Sequence, residues 1–266
     1  MKYLGANEAA LRRLIETGIT VEAVSEDLYC VESAEMGPSV WADLAARGFD
    51  RCGISNGGQV IGYVESATTE NHSIQPIQIH QLVAETTPLW QAMPRLAESL
   101  WLFVLTPSGP TGIVTLADLA KQPARLLMFG VLSLLEMAML AIIRREFPDT
   151  DWCDLLSNGR IEKASTLLAQ RREKGQDIDL ADCLQWCDKA AICAKSEQIR
   201  TRWDLPGKGQ CDRLFEEIQV LRDQLAHSQH PAPDGDWRRV VKCLQEADRL
   251  ITVSVDMLGV RREVKE

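Results

Sequence analysis

In the first 120 residues, short apolar runs alternate with turn residues. Runs at 51–55, 60–64, 100–105 and 112–114 have the length and β-branched or aromatic content of strands. Asn56-Gly57-Gly58 and Pro107-Ser108-Gly109 separate them in pairs and predict tight turns. A short helical pattern precedes each pair, at 38–47 and 88–96. Pro38 and Pro88 stand at its first position, where the missing N–H costs nothing. The two units repeat at an offset of 50 residues: Ile54 matches Val104, Gly62 matches Gly112 and Val64 matches Val114.

After residue 124 the period changes to 3.6. The pattern predicts a long helix over 124–147 closed by Pro148, and a short one at 152–156. Further helices are expected at 160–174, stopping at Gly175, and at 180–195. A breaker-rich stretch at 203–209 leads to a helix whose apolar stripe is Cys211, Leu214, Phe215, Ile218, Leu221 and Leu225. The last helix, 236–258, should bury Trp237, Val240, Val241, Leu244, Ala247, Leu250 and Ile251. No strand-like alternation follows residue 124, so the expectation is an α+β half followed by an all-α bundle of four main helices. Two domains suit the 266 residues, with the boundary at 122/123.

The apolar run 126–143 approaches transmembrane length, but Glu136 lies in its middle, with Gly130 and Ser133 nearby. A helix apolar on all sides also suits the centre of a soluble bundle, which is the expectation adopted.

The net charge of −9 argues against a general nucleic-acid coat or a membrane-surface protein. Residues 1–122 carry 7 basic against 14 acidic residues, and the remainder 22 against 24, so any nucleic-acid site belongs in the second half and is local. The eight cysteines show no CxxC pair and no Cys/His metal pattern. They read as reduced thiols, and no apolar leader stands at the N-terminus, which together point to the cytoplasm.

Helix, strand, turn, strand, twice over, resembles a pair of CBS domains, with copies at about 19–68 and 79–120. The second copy closes on Thr111-Gly112-Ile113-Val114-Thr115-Leu116-Ala117-Asp118-Leu119, which is similar to that family's closing motif. The resemblance implies an adenosine-type nucleotide or nucleotide second messenger as effector. Gly112 would leave room for the ligand, Thr115 would contact phosphate and Asp118 the ribose hydroxyls. The first copy departs from the motif, with Glu65 where Thr is expected and Thr68 where Asp is expected, so at most one nucleotide site of this kind is expected. The alternative is a degenerate pair in which Asp118 caps a helix.

Late in the penultimate long helix stands Arg222-Asp223-Gln224-Leu225-Ala226-His227. An arginine, four residues and a histidine, followed by a loop and a closing helix, resemble HEPN domains, many of which are ribonucleases. The fold class implied is an α+β CBS domain pair followed by an all-α HEPN-like helical bundle over 123–266. Position 229 is Gln, not the tyrosine of HEPN toxins silenced by nucleotide transfer.

The chemistry is that of RNA cleaved by its own 2′-hydroxyl. A histidine can pass the proton and an arginine can hold the phosphate, with no metal cofactor. Products with a 2′,3′-cyclic phosphate are expected, and DNA is excluded. Asp223 would orient one of the basic groups, and His230 in the loop could add substrate contacts. Positions five apart on a helix diverge by about 140°, so Arg222 and His227 of one chain do not meet unless the last turn distorts; the resemblance implies a homodimer, with the site shared between two copies. The reading is an endoribonuclease controlled by nucleotide, suited to stress response or phage defence. The alternatives are a non-catalytic nucleotide sensor whose bundle recruits a partner, and a scaffold with neither activity. In a purely structural reading, His227 would serve the helix dipole and Asp223 would pair with Arg222.

Overall fold

In the computed structural model of the protein, residues 4–65 and 73–259 are described. The fold is mixed α+β and divides into two units. One comprises residues 16–125. The other comprises helix α1 (Leu4–Thr17) as far as Ile15 and the chain from Leu126 onward. The division differs from the sequence boundary of 122/123 in sending the N-terminal helix to the helical unit. There Gly130 makes room for it: a Cβ at that position would lie 2.9 Å from Ile15 Cδ1. Arg12 adds an ion pair with Asp248 at 3.0 Å.

The 50-residue repeat is present as topology and as register. After β1 (Glu26–Asp27), the first copy runs β2 (Cys30–Glu32), α2 (Pro38–Arg47), β3 (Arg51–Asn56) and β4 (Gln59–Glu65). The second runs β5 (Leu82–Ala84), α3 (Leu89–Ser99), β6 (Trp101–Thr106) and β7 (Gly109–Thr115). In both copies the first strand lies parallel to the second, and the second pairs antiparallel with the third. Each hairpin has an irregularity at the same place, after Ile54 and after Val104, and these residues face Gly62 and Gly112. Gly57 and Gly58 both take positive φ in the first turn, as a two-residue hairpin of matching twist demands.

Alternation along the strands sorts the side chains. Cys52, Ile54 and Val64 pack with Val40 and Leu44 of α2. On the other face Tyr63 meets Trp101 and Phe103 of the second copy, with ring centroids 5.5 and 5.1 Å apart, so the two sheets share one aromatic layer. Pro38 stands at the first position of α2, whereas Pro88 precedes α3, which begins at Leu89; Pro94 lies inside α3. Thr68 lies outside the described residues.

The helical unit contains α4 (Gln122–Glu146) from Leu126 onward, α5 (Asn158–Glu173), α6 (Trp186–Lys195), α7 (Glu197–Arg202), α8 (Lys208–Ala226) and α9 (Trp237–Met257). No strand occurs after β7 among the described residues. The expected helix at 180–195 is interrupted: a 3-10 turn at Ala181–Cys183 precedes α6, and the Gln185 and Asp188 side chains form a capping box at the start of α6. All seven residues assigned to the inner face of α9 are buried. On α8 only Leu214 of the predicted stripe stays half-exposed. Burying such a stripe contributes roughly 1.5–3 kcal/mol per large aliphatic residue.

By length and composition α4 could cross a membrane, but 56% of its most apolar window is buried inside the protein. It is the core helix of this unit, with Leu127, Met128, Leu132, Leu135, Met139 and Ile142 inaccessible to solvent.

Candidate functional site

Glu136 is the carboxylate in the middle of α4. Its Oε1 accepts from Lys189 Nζ of α6 at 2.8 Å and its Oε2 from Arg222 Nη2 of α8 at 3.3 Å. Lys189 is buried, so its ammonium depends on this carboxylate for compensation. The same carboxylate joins three helices, and Arg222 is one of its two cationic partners. Arg222 also lies 3.7 Å from Asp223 Oδ1. That pairing is common to both roles open to Asp223, orienting a basic group and simply pairing with Arg222.

His227 is placed quite differently. Helix α8 keeps its regular hydrogen bonding to the end, with His227 N–H donating to Asp223 O at 3.0 Å, and His227 is the capping residue. The chain leaves the helix through Ser228 at φ 55°; Ser228 N–H donates to Leu225 O and Gln229 N–H to Gln224 O. This is a Schellman closure with serine in place of the usual glycine. The last turn is undistorted, so Arg222 and His227 diverge by about 140°. Arg222 is half-buried against α4, while His227 is exposed. Within one chain they do not converge on a single point.

The loop after α8 is held by His230, whose Nδ1 accepts from Ala232 N–H at 3.1 Å and whose ring meets Trp237 with centroids 5.4 Å apart. That arrangement gives His230 a structural task in the loop.

In the α+β unit, Thr115 and Asp118 are brought together, but by one another. Asp118 Oδ2 accepts from Thr115 N–H at 2.7 Å and Thr115 Oγ1 at 2.9 Å. The pair forms the capping box of a 3-10 turn at Leu116–Ala120. Asp118 Oδ1 pairs with Lys121 at 2.9 Å, and Lys121 also binds Glu26 and the Val24 carbonyl. Burial pulls Lys121 down, yet Glu26 and Asp118 together hold it above the usual lysine range. Gly112 lies on β7 opposite β1; a Cβ there would come within 3.0 Å of Val104 Cβ and 3.2 Å of Glu26 O, so sheet packing already accounts for the glycine. A nucleotide at these residues has to draw Asp118 away from its cap and from Lys121. In the first copy, Glu65 ends β4 opposite Arg51 and pairs with it at 2.9 Å.

Sequence reasoning missed Lys189 and the bonding role of Glu136. The signal was present: a lone carboxylate within an apolar helix requires a cation from elsewhere in the fold. Among the described residues no group of three or more His, Cys, Asp or Glu is placed to hold a metal ion. The cysteines are free thiols, and burial pushes Cys211 and Cys243 up to about 12. Searches against protein-family models, curated proteins and solved structures find no match to this chain.

Proposed function

We propose that the helical unit is a HEPN-type endoribonuclease that works as a cytoplasmic homodimer, without a metal cofactor. In this reading the α+β unit is a CBS pair that binds an adenosine-type nucleotide and sets the activity. The observation that carries the reading is the contrast on α8. A guanidinium anchored by Glu136 and an exposed imidazole at the helix end share one regular helix. A second copy related by a two-fold axis can supply the complementary group to each.

His227 then exchanges a proton with the 2′-hydroxyl or the leaving 5′-oxygen, and Arg222 stabilises the charge that grows on the phosphate. Glu136 holds the guanidinium in place, and Lys189 offsets part of the carboxylate's charge so that Arg222 keeps its attraction for phosphate. Nucleotide acts at a distance only if it binds one dimer arrangement better than another.

The test is to incubate the purified chain with RNA and with DNA, with and without adenine nucleotides. The expected result is RNA cleavage alone, leaving 2′,3′-cyclic phosphate ends. His227→Ala should lower the rate by roughly 10²–10⁴-fold. Unchanged cleavage by both Arg222→Ala and His227→Ala removes the assigned site.

One observation favours a second reading, a non-catalytic nucleotide sensor: the Arg222–Glu136 contact is also what a purely structural arginine makes. That reading predicts nucleotide binding by calorimetry, weakened in Asp118→Asn, with no RNA cleavage under any condition.

A further inference from the structure

A groove of about 390 Å³ lies between α8 and α9. It is at the lower end of the range of small-molecule sites, roughly 300–1,000 Å³. Val220, Leu221 and Val240 line its middle, and Val220 is 51% exposed. Gln224 and Arg239 line one end, and Glu216 and Glu217 the other, with Arg213 one turn further along. The groove follows the face of α8 that ends in His227: positions 220, 224 and 227 are spaced by four and three, one above another on a helix. At 1.5 Å per residue, His227 stands about 4.5 Å beyond Gln224 and about 16 Å beyond the carboxylate end.

The layout is polar in a directional way. The end nearest His227 carries a guanidinium, itself paired with Asp234 at 2.9 Å, and an amide. The far end carries two carboxylates, which accept N–H donors, with the Arg213 guanidinium one turn beyond them. The middle is apolar and open. One nucleotide meets all three conditions if its phosphate lies at the His227 end and its base runs down the groove. Guanine fits best, because its pairing edge gives two parallel N–H donors to one carboxylate.

We infer that this groove binds the base flanking the cleaved phosphate and makes the protein prefer guanine there. The inference rests on the ribonuclease reading for its substrate, but its test does not rest on cleavage. The probes are fluorescent 2′-O-methyl RNA hexamers, which lack the nucleophile, with a central guanine or a central uracil. Anisotropy with the full chain should show tighter binding of the guanine hexamer. Val220→Trp, which fills the groove from an exposed position, and the Glu216→Gln/Glu217→Gln pair should each weaken that hexamer about tenfold. The uracil hexamer should change little. Unchanged melting temperatures verify that the variants fold.

Equal binding of the two hexamers, or a guanine hexamer indifferent to both variants, overturns the inference. If guanine-selective binding appears while ordinary RNA is never cut, the groove stands and the nuclease reading falls. If ordinary RNA is cut with no dependence on base or on Val220→Trp, the nuclease stands and the groove assignment falls.

Discussion

At the scale of single residues, Glu136 is the carboxylate that ties α4 to α6 and α8. It compensates buried Lys189 and half-buried Arg222 together. Glu136→Ala leaves an ammonium without its partner inside the fold and should cost about 3 kcal/mol in urea denaturation. Arg222→Ala leaves the Glu136–Lys189 pair intact and should cost about 1 kcal/mol. The reverse order would show that Lys189 finds other compensation. The sequence revealed Glu136 as an anomaly in an apolar helix but not its partners. Lys189 lies 53 residues away and Arg222 lies 86 away, and no local pattern encodes such distances. The reverse holds for Arg222 and His227, whose divergence follows from helix geometry alone and needed only a regular last turn.

At the scale of elements, the offset of 50 extended to bulges and strand register, because hairpin residues repeat with their turn. Strands β1, β2 and β5 were not legible: two or three residues cannot show an alternation. The paired glycines differ in what they face. A Cβ at Gly62 would come within 2.5 Å of Gln75 O, a backbone atom, whereas the closest approach at Gly112 is 3.0 Å. Gly62→Ala should therefore destabilise by roughly 1–3 kcal/mol and Gly112→Ala by less, as thermal melts will show. The first hairpin also has a clasp absent from the second. Glu32 accepts from Ser55 Oγ and from the amides of Gly57 and Gly58. The Ser55 bond, followed by that of Gly58, holds Glu32 below the usual 4.5. A carboxyl depressed in the folded state stabilises above its unfolded pKa, and the effect is lost as pH falls through the folded one. Gly57 and Gly58 amide resonances should thus titrate with a midpoint below 4.5, and Ser55→Ala should raise that midpoint. A midpoint at or above 4.5 in the native protein would mean the clasp is not formed.

At the scale of the molecule, the proposed ribonuclease requires two copies. Arg222 is drawn inward to α4 and His227 is exposed at the end of α8, so in the proposed nuclease each is completed by a group of the second copy. The all-α character of the second half was legible from its period. The assignment of α1 to the helical unit was not, because only the packed fold shows Ile15 lying against Gly130. The most direct test of a shared site is complementation. Arg222→Ala and His227→Ala chains, each silent alone, are denatured together and refolded so that mixed dimers form. Random pairing makes half of the dimers mixed, each with one complete Arg–His pair, so about a quarter of the native RNA cleavage should return. A refolded mixture no more active than either variant alone, or a native chain that cuts no RNA, would contradict the account.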